Sequence, residues 1–273
     1  MRLEDIDERC RSAENARLIL EDLAWMGIDW DEEPLRQSVR QDVYARALEQ
    51  VGEKALLYPC FCSRADLHSA SAPHASDGTP IYQRTCLGMS ADEQVKRAAI
   101  KDPALRIKVP AETISFVDGH MGPFSQQLED ECGDFVLRRS DGAFAYQLVV
   151  VVDDDESGVT EVVRGGDLIG STPRQIWLHG LLGHAIPAYA HHPVLLAPDG
   201  KRLSKREKSL DMGALRDAFC CPEEFVGQLA FMAGLLDAPQ AVALADLVVG
   251  FAWDKVPQGD ITVEPFGPLS SIY

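Results

Sequence analysis

A chain of 273 residues, with 46% hydrophobic and 25% charged side chains, carries enough apolar material for a substantial core in one or two domains. Its formal net charge of −17 and pI near 4.7 argue against broad nonspecific binding to nucleic acid, while leaving room for a local cationic patch. No apolar run approaches the ~18 residues of a membrane span, and no membrane partner is expected. The charged opening MRLEDIDERC and seven cysteines, an odd number, lead to the expectation of a reducing cytoplasm rather than an exported disulfide framework.

In chain order, Arg2 to Ile6 reads as a strand ending on Asp5 and Asp7. Ser12 is a candidate N-cap for a helix in which Ala16, Ile19, Leu20, Leu23 and Met26 fall at helical spacing, with Gly27 ending it. A second helix is predicted from about Leu35 to Ala55, with Val39, Val43, Ala47 and Val51 on one face. Residues 68–80 are a loop of small residues, and 105–117 and 134–138 read as short strands. The run YQLVVVV, Tyr146 to Val152, is closed by three aspartates and reads as a strand buried on both faces. Glu161 to Arg164 is a further strand, and Thr172 to Leu182 a helix with Pro173 in its first turn. Helices are predicted from Pro222 to Leu236 and from Gln240 to Phe251, followed by irregular chain. Alternating strands and helices predict an α/β fold on an open parallel sheet, with ligands at the carboxyl ends of strands.

Two clusters carry chemistry. In GKRLSKREKS, Gly200 to Ser209, five of the eight residues from Lys201 to Lys208 are basic. Cations concentrated in so acidic a chain point to a strong local anion, and Lys205 suits a movable charge on a phosphate. A lone basic octamer is more often a solvated turn, but this one follows the VVRGGDL segment, which favours a binding loop. The second cluster is Cys60-Phe61-Cys62 with Cys86. Three thiolates bracketing a loop poor in apolar residues favour a closed, structural zinc site over three free core thiols. The fourth ligand is open among His68, His74 and Tyr82, the last needing its phenol acidified from a pKa near about 10. Cys10, Cys132, Cys220 and Cys221 have no such neighbours and read as core or surface thiols.

Four motifs, RLEDID at the start, FAYQLVVVVDD at 144–154, GVTEVVRGGDLIGSTPRQ at 158–175 and RLSKR at 202–206, together resemble the class I glutamyl-tRNA synthetase family, with RLSKR in place of its KMSKS signature. Within it the chain is most similar to the short glutamyl-queuosine tRNA(Asp) synthetase branch. Glu161 and Leu168 stand where full-length synthetases usually carry histidines, and the chain ends about where a large anticodon-binding region would begin. The C-x-C and Y-x-x-x-C pattern matches that branch's zinc site and favours Tyr82 as fourth ligand.

The resemblance implies a Rossmann-like core in residues 1–56 and 105–215, a zinc-binding insert in 57–104, and a C-terminal helical region in 216–273. It implies ATP-dependent activation of glutamate and its transfer to queuosine in the anticodon of tRNA(Asp), by a monomer. Glu4 would hold the amino group, with Tyr146 and Arg164 on the rest of glutamate. Arg202, Leu203, Ser204, Lys205 and Arg206 would form the ATP-binding loop, Lys205 acting on the departing pyrophosphate with Mg²⁺ as counter-ion. Cys60, Cys62, Tyr82 and Cys86 would bind the structural zinc. Singly, Glu4 reads as a surface charge, Tyr146 as a core aromatic and Arg164 as a partner of Asp167 or Asp153; their joint order favours the site. The family opens with a strand and a PSPxGxxHxG loop before RLEDID, so the expectation is that the chain as given is truncated at its N-terminus and a poor enzyme. His120 and His184 do not replace the histidines of that loop. The alternatives are a fragment of an ordinary glutamyl-tRNA synthetase charging the tRNA 3′ end, and an inactive paralogue that binds tRNA or glutamate.

Overall fold

In a computed structural model that describes residues 1–8, 11–67, 81–203 and 212–263, the chain begins with β1 (Arg2–Leu3) and α1 (Ala13–Trp25). Ser12 caps α1 as predicted, its hydroxyl accepting from the Asn15 amide at 3.1 Å. The helix gives way at Gly27, which takes a left-handed φ of +83°. β2 (Leu35–Arg36) pairs in parallel with β1. α2 (Gln41–Lys54) starts later than the sequence predicts; it buries Tyr44, Ala47, Leu48 and Val51, whereas Val39 precedes it and is exposed.

Next come β3 (Leu57–Cys60), α3 (Arg64–Leu67), α4 (Ala91–Ala98) and β4 (Ala104–Ile107). A hairpin of β5 (Thr113–Asp118) and β6 (Gly122–Gln127) precedes β7 (Phe135–Arg138). β4 lies between β3 and β7 and is antiparallel to both.

The YQLVVVV segment corrects the sequence reading: it is α5 (Tyr146–Glu156), a helix and not a strand. Every residue from Leu148 to Asp154 is buried. A helix enclosed on all sides shows no polar face, so a short apolar run looks the same as a doubly buried strand. The aspartates tolerate burial because they are partnered. Asp153 accepts from Gln37 Nε2 at 2.8 Å, the Tyr44 hydroxyl at 3.0 Å and Arg40 Nε at 3.0 Å. Asp154 accepts from Arg2 at 2.5 Å, which ties β1 to α5.

β8 (Glu161–Gly165) and β9 (Ala188–His192) pair in parallel, joined by α6 (Thr172–Leu182), whose Pro173 lies in the first turn as predicted. After β10 (Leu195–Leu196) come α7 (Met212–Ala218), α8 (Pro222–Met232) and α9 (Leu244–Val248), then β11 (Ile261–Thr262), which pairs in parallel with β10. The predicted helix from Pro222 stops at Met232, and of the Gln240 to Phe251 prediction only α9 is helical. Among the described residues the parallel pairing consists of three two-stranded pairs rather than one continuous sheet.

The main core packs Val51, Ile107, Leu137, Leu148 and Leu178, so α2, α5 and α6 close over β4 and β7. A second cluster of Leu215, Phe219, Phe225 and Val263 takes in Trp25 and Met26, docking the end of α1 against the C-terminal helices. Among the described residues no helix is long and apolar enough to cross a membrane.

Candidate active site and metal centre

Three of the predicted residues come together from separate elements. Glu4 follows β1, Tyr146 opens α5 and Arg164 lies on β8. Burial raises the pKa of the Tyr146 phenol, the nearby Arg164 guanidinium pulls the other way, and the Glu4 carboxylate adds to the rise. The group is not sealed: the Glu4 side chain is 46% exposed and Tyr146 38%. A cation, a carboxylate and a phenol in mutual range can hold an ammonium and a carboxylate of one small molecule at once.

Arg164 is the most constrained of the three. Its Nε donates to His191 Nε2 at 3.1 Å and its Nη2 to Thr172 Oγ1 at 2.8 Å. His191 Nδ1 in turn lies 2.5 Å from Asp118 Oδ2, with both side chains 0% exposed. Burial lowers the pKa of His191, with the adjacent Arg164 charge acting in the same direction and Asp118 opposing. Asp167 pairs with Arg202 and Asp153 with Arg40, so neither is the counter-ion of Arg164.

A cavity of about 790 Å³ separates β8 from the C-terminal elements, with Val163, Asp167, Arg202, Leu203 and Trp253 in its wall. Arg202 and Leu203 thus carry the start of the basic loop to this cavity. Ser204, Lys205 and Arg206 lie outside the described residues, as do His68 and His74.

The structure brings the three predicted cysteines together. Cys60, Cys62 and Cys86 place their Sγ atoms within 4.8 Å of one another. Cys62 Sγ is 3.7 Å from Cys86 Sγ and 3.6 Å from the Tyr82 hydroxyl. A tetrahedral zinc with bonds of about 2.3 Å to sulfur and about 2.0 Å to oxygen has S–S edges of about 3.8 Å and S–O edges of about 3.5 Å. These residues fit such an ion. Burial and the neighbouring Cys60 push the Cys62 thiol up to about 11. Burial and the three thiols likewise raise the Tyr82 phenol. The Cys60 thiol goes the other way: burial opposes, but hydrogen bonds from Tyr82 and Arg106 lower its pKa. A bound dication would favour the ionised forms of Cys62 and Tyr82. The Cys86 amide already donates to the Tyr82 oxygen at 2.8 Å, and the Phe61 amide to Cys86 Sγ at 3.4 Å.

Residues 1–229 match the family described as tRNA synthetases class I (E and Q), catalytic domain. The chain belongs to this family. It is 43% identical, over 96% of its length, to the glutamyl-Q tRNA(Asp) synthetase of Symbiobacterium thermophilum, covering 84% of that protein. Against the glutamyl-Q tRNA(Asp) synthetase of Nitratidesulfovibrio vulgaris it is 44% identical over 86% of its length, covering 76% of that protein. Its fold matches a glutamate tRNA ligase from Elizabethkingia meningosepticum, solved in complex with its amino acid, with a TM-score of 0.76 over 99% of the chain. That likeness, at 23% identity, is one of fold, and the chain spans 61% of the ligase.

In this class I synthetase domain the sequence motifs located Glu4, Tyr146 and Arg164 but not the residues behind them. Asp118 ends β5, His191 lies on β9 and Thr172 opens α6. The only local signals were the acidic end of a predicted strand and paired histidines in AHHP, which name no partner.

Proposed function

We propose that this chain activates glutamate with ATP and transfers it to queuosine in the anticodon of tRNA(Asp). The observation that carries this reading is the 43% identity, along nearly the whole chain, to the glutamyl-Q tRNA(Asp) synthetase of Symbiobacterium thermophilum. The grouping of Glu4, Tyr146 and Arg164 supports it chemically.

Glutamate has one ammonium and two carboxylates. Glu4 takes the ammonium, while Tyr146 and Arg164 hold and orient the remaining polar groups. The substrate carboxylate attacks the α-phosphorus of ATP in line; the new acyl–phosphate bond forms as the bond to pyrophosphate breaks. No enzyme nucleophile is required, and the protein acts by positioning and by charge. Arg202, Leu203, Ser204, Lys205 and Arg206 form the phosphate-binding loop, and Lys205 stabilises the departing pyrophosphate, which Mg²⁺ accompanies as counter-ion. A hydroxyl of the queuosine diol then attacks the acyl carbon and releases AMP.

Cys60, Cys62, Cys86 and Tyr82 hold a zinc ion in this reading. When bound, the ion cross-links an insert, residues 57–104, whose own apolar cluster is small. The catalytic core is residues 1–56 and 105–215, and residues 216–273 form the helical region. The protein acts as a cytoplasmic monomer.

Glutamate-dependent ATP–pyrophosphate exchange, run on the 273-residue chain and on one lengthened upstream by in-frame codons, tests activation. Exchange in either form supports the reading. Exchange in neither, with tRNA or glutamate still bound, would instead favour a non-catalytic binding protein.

A further inference from the structure

We propose that Asp118 and His191 are positioning residues which fix the Arg164 guanidinium for an incoming substrate carboxylate while leaving its charge free. The inference rests on the reading of Arg164 as a glutamate ligand, and deepens it by naming what aims that ligand.

Asp118 is saturated with donors. Its Oδ1 accepts from the amides of His120 at 3.0 Å, Met121 at 2.9 Å and His191 at 3.1 Å, while Oδ2 faces His191 Nδ1 at 2.5 Å. Three backbone N–H groups on one oxygen lock the carboxylate, so Nδ1 must carry the proton. The other ring nitrogen, Nε2, is then a bare acceptor, which is what the Arg164 Nε–H at 3.1 Å requires. Thr172 Oγ1, 3.4 Å from His191 Nε2, accepts from Arg164 Nη2 at 2.8 Å and so holds the neighbouring part of the same guanidinium edge. The Tyr189 ring lies 5.5 Å beneath it.

The chemical consequence lies in the neutral spacer. A carboxylate bonded directly to Arg164 would cancel most of the charge that a substrate carboxylate needs. An imidazole passes on the rigidity of Asp118 without that cancellation. Among the described residues no carboxylate pairs with Arg164, and burial disfavours protonation of His191. His191 and Asp118 are fully buried, so they act through Arg164 and not by touching substrate.

Asp118→Asn is the decisive variant. Its amide oxygen has to face the three backbone donors, which turns the NH₂ toward His191 Nδ1. The ring must then take the other tautomer and present Nε2–H to Arg164, donor against donor. His191→Gln keeps an acceptor near the Nε2 position and serves as the conservative variant. The ring-nitrogen NMR signals of His191 are to be measured on wild type and Asp118→Asn, and the Kd values for glutamate and for ATP on wild type and both variants.

The expected result is an unprotonated Nε2 in wild type and a protonated one in Asp118→Asn. Glutamate should bind about 10–100-fold more weakly to that variant, with ATP affinity within about twofold, and His191→Gln should keep glutamate affinity within about threefold. A tautomer change that leaves glutamate affinity untouched would overturn the proposal, as would equal losses for glutamate and ATP. An unchanged tautomer would overturn it at the first step. If wild type shows the expected tautomer and binds ATP but not glutamate, the reading of Arg164 as a substrate ligand fails, and the positioning role with it.

Discussion

The Arg106 guanidinium lies 3.9 Å over the centre of the Tyr82 ring and donates to the Asp134 carbonyl at 2.8 Å, linking the cysteine cluster to the antiparallel sheet. Arg106 is only 7% exposed, so the cation–π contact is largely desolvated. Arg106→Leu is expected to lower stability by about 2–3 kcal/mol and to speed transfer of zinc from the loaded protein to a chelator. Urea unfolding and a colorimetric chelator check the two effects. Unchanged midpoint and unchanged zinc release would show that the contact is incidental.

Asp153 has the opposite problem, a carboxylate with 0% exposure whose burial is tolerated only through Tyr44, Gln37 and Arg40. Asp153→Ala strands those three donors and should cost about 3–5 kcal/mol; Asp153→Asn, which keeps one acceptor, should fall below that. Denaturant titration of both variants would decide it. A loss under about 1 kcal/mol for the alanine variant would mean the network contributes no net stability.

His179 gives the protein an acid limit. It is 1% exposed on α6, and neither ring nitrogen has a hydrogen-bond partner among the described residues. Burial, then the His184 ring 5.9 Å away, lower its pKa to about 4, against the opposing charges of Asp154 and Asp155. The unfolded chain protonates this group near about 6.5, so between about 6.5 and 4 the unfolded state binds more protons. Stability from this group is therefore complete above about pH 6.5 and lost as pH falls towards 4, by at most about 3 kcal/mol. His179→Leu should be less sensitive than wild type in that window. Parallel pH profiles for the two proteins would assign the acid sensitivity elsewhere.

Gly227 marks a close approach in the C-terminal helices. A Cβ at this position would lie 1.7 Å from the Gln240 carbonyl oxygen, which is backbone and cannot swing aside. Gly227→Ala should force α8 away from the 240 segment and cost about 1–3 kcal/mol. Thermal unfolding measures it; a midpoint equal to wild type would show that the segment yields freely.

What could be read in the sequence divides along physical lines. Ser12, Pro173 and the C-x-C pair act through neighbours in the chain, so local rules place the start of α1, the first turn of α6 and the metal cluster. YQLVVVV misleads because the helix it forms is buried all round, which removes the periodicity that separates helix from strand. The Asp118–His191 contact spans 73 positions and His179 owes its pKa to its surroundings, so neither leaves a local trace. The motif resemblance carried Glu4, Tyr146 and Arg164; geometry added what holds Arg164 in place.

The most direct test of the central claim is transfer of labelled glutamate to tRNA(Asp) with and without queuosine, followed by nuclease mapping of the label. The account predicts label in the anticodon fragment, dependent on ATP and absent from tRNA that lacks queuosine. Label at the 3′ end, indifferent to queuosine, would contradict it and make the chain an ordinary glutamate–tRNA ligase.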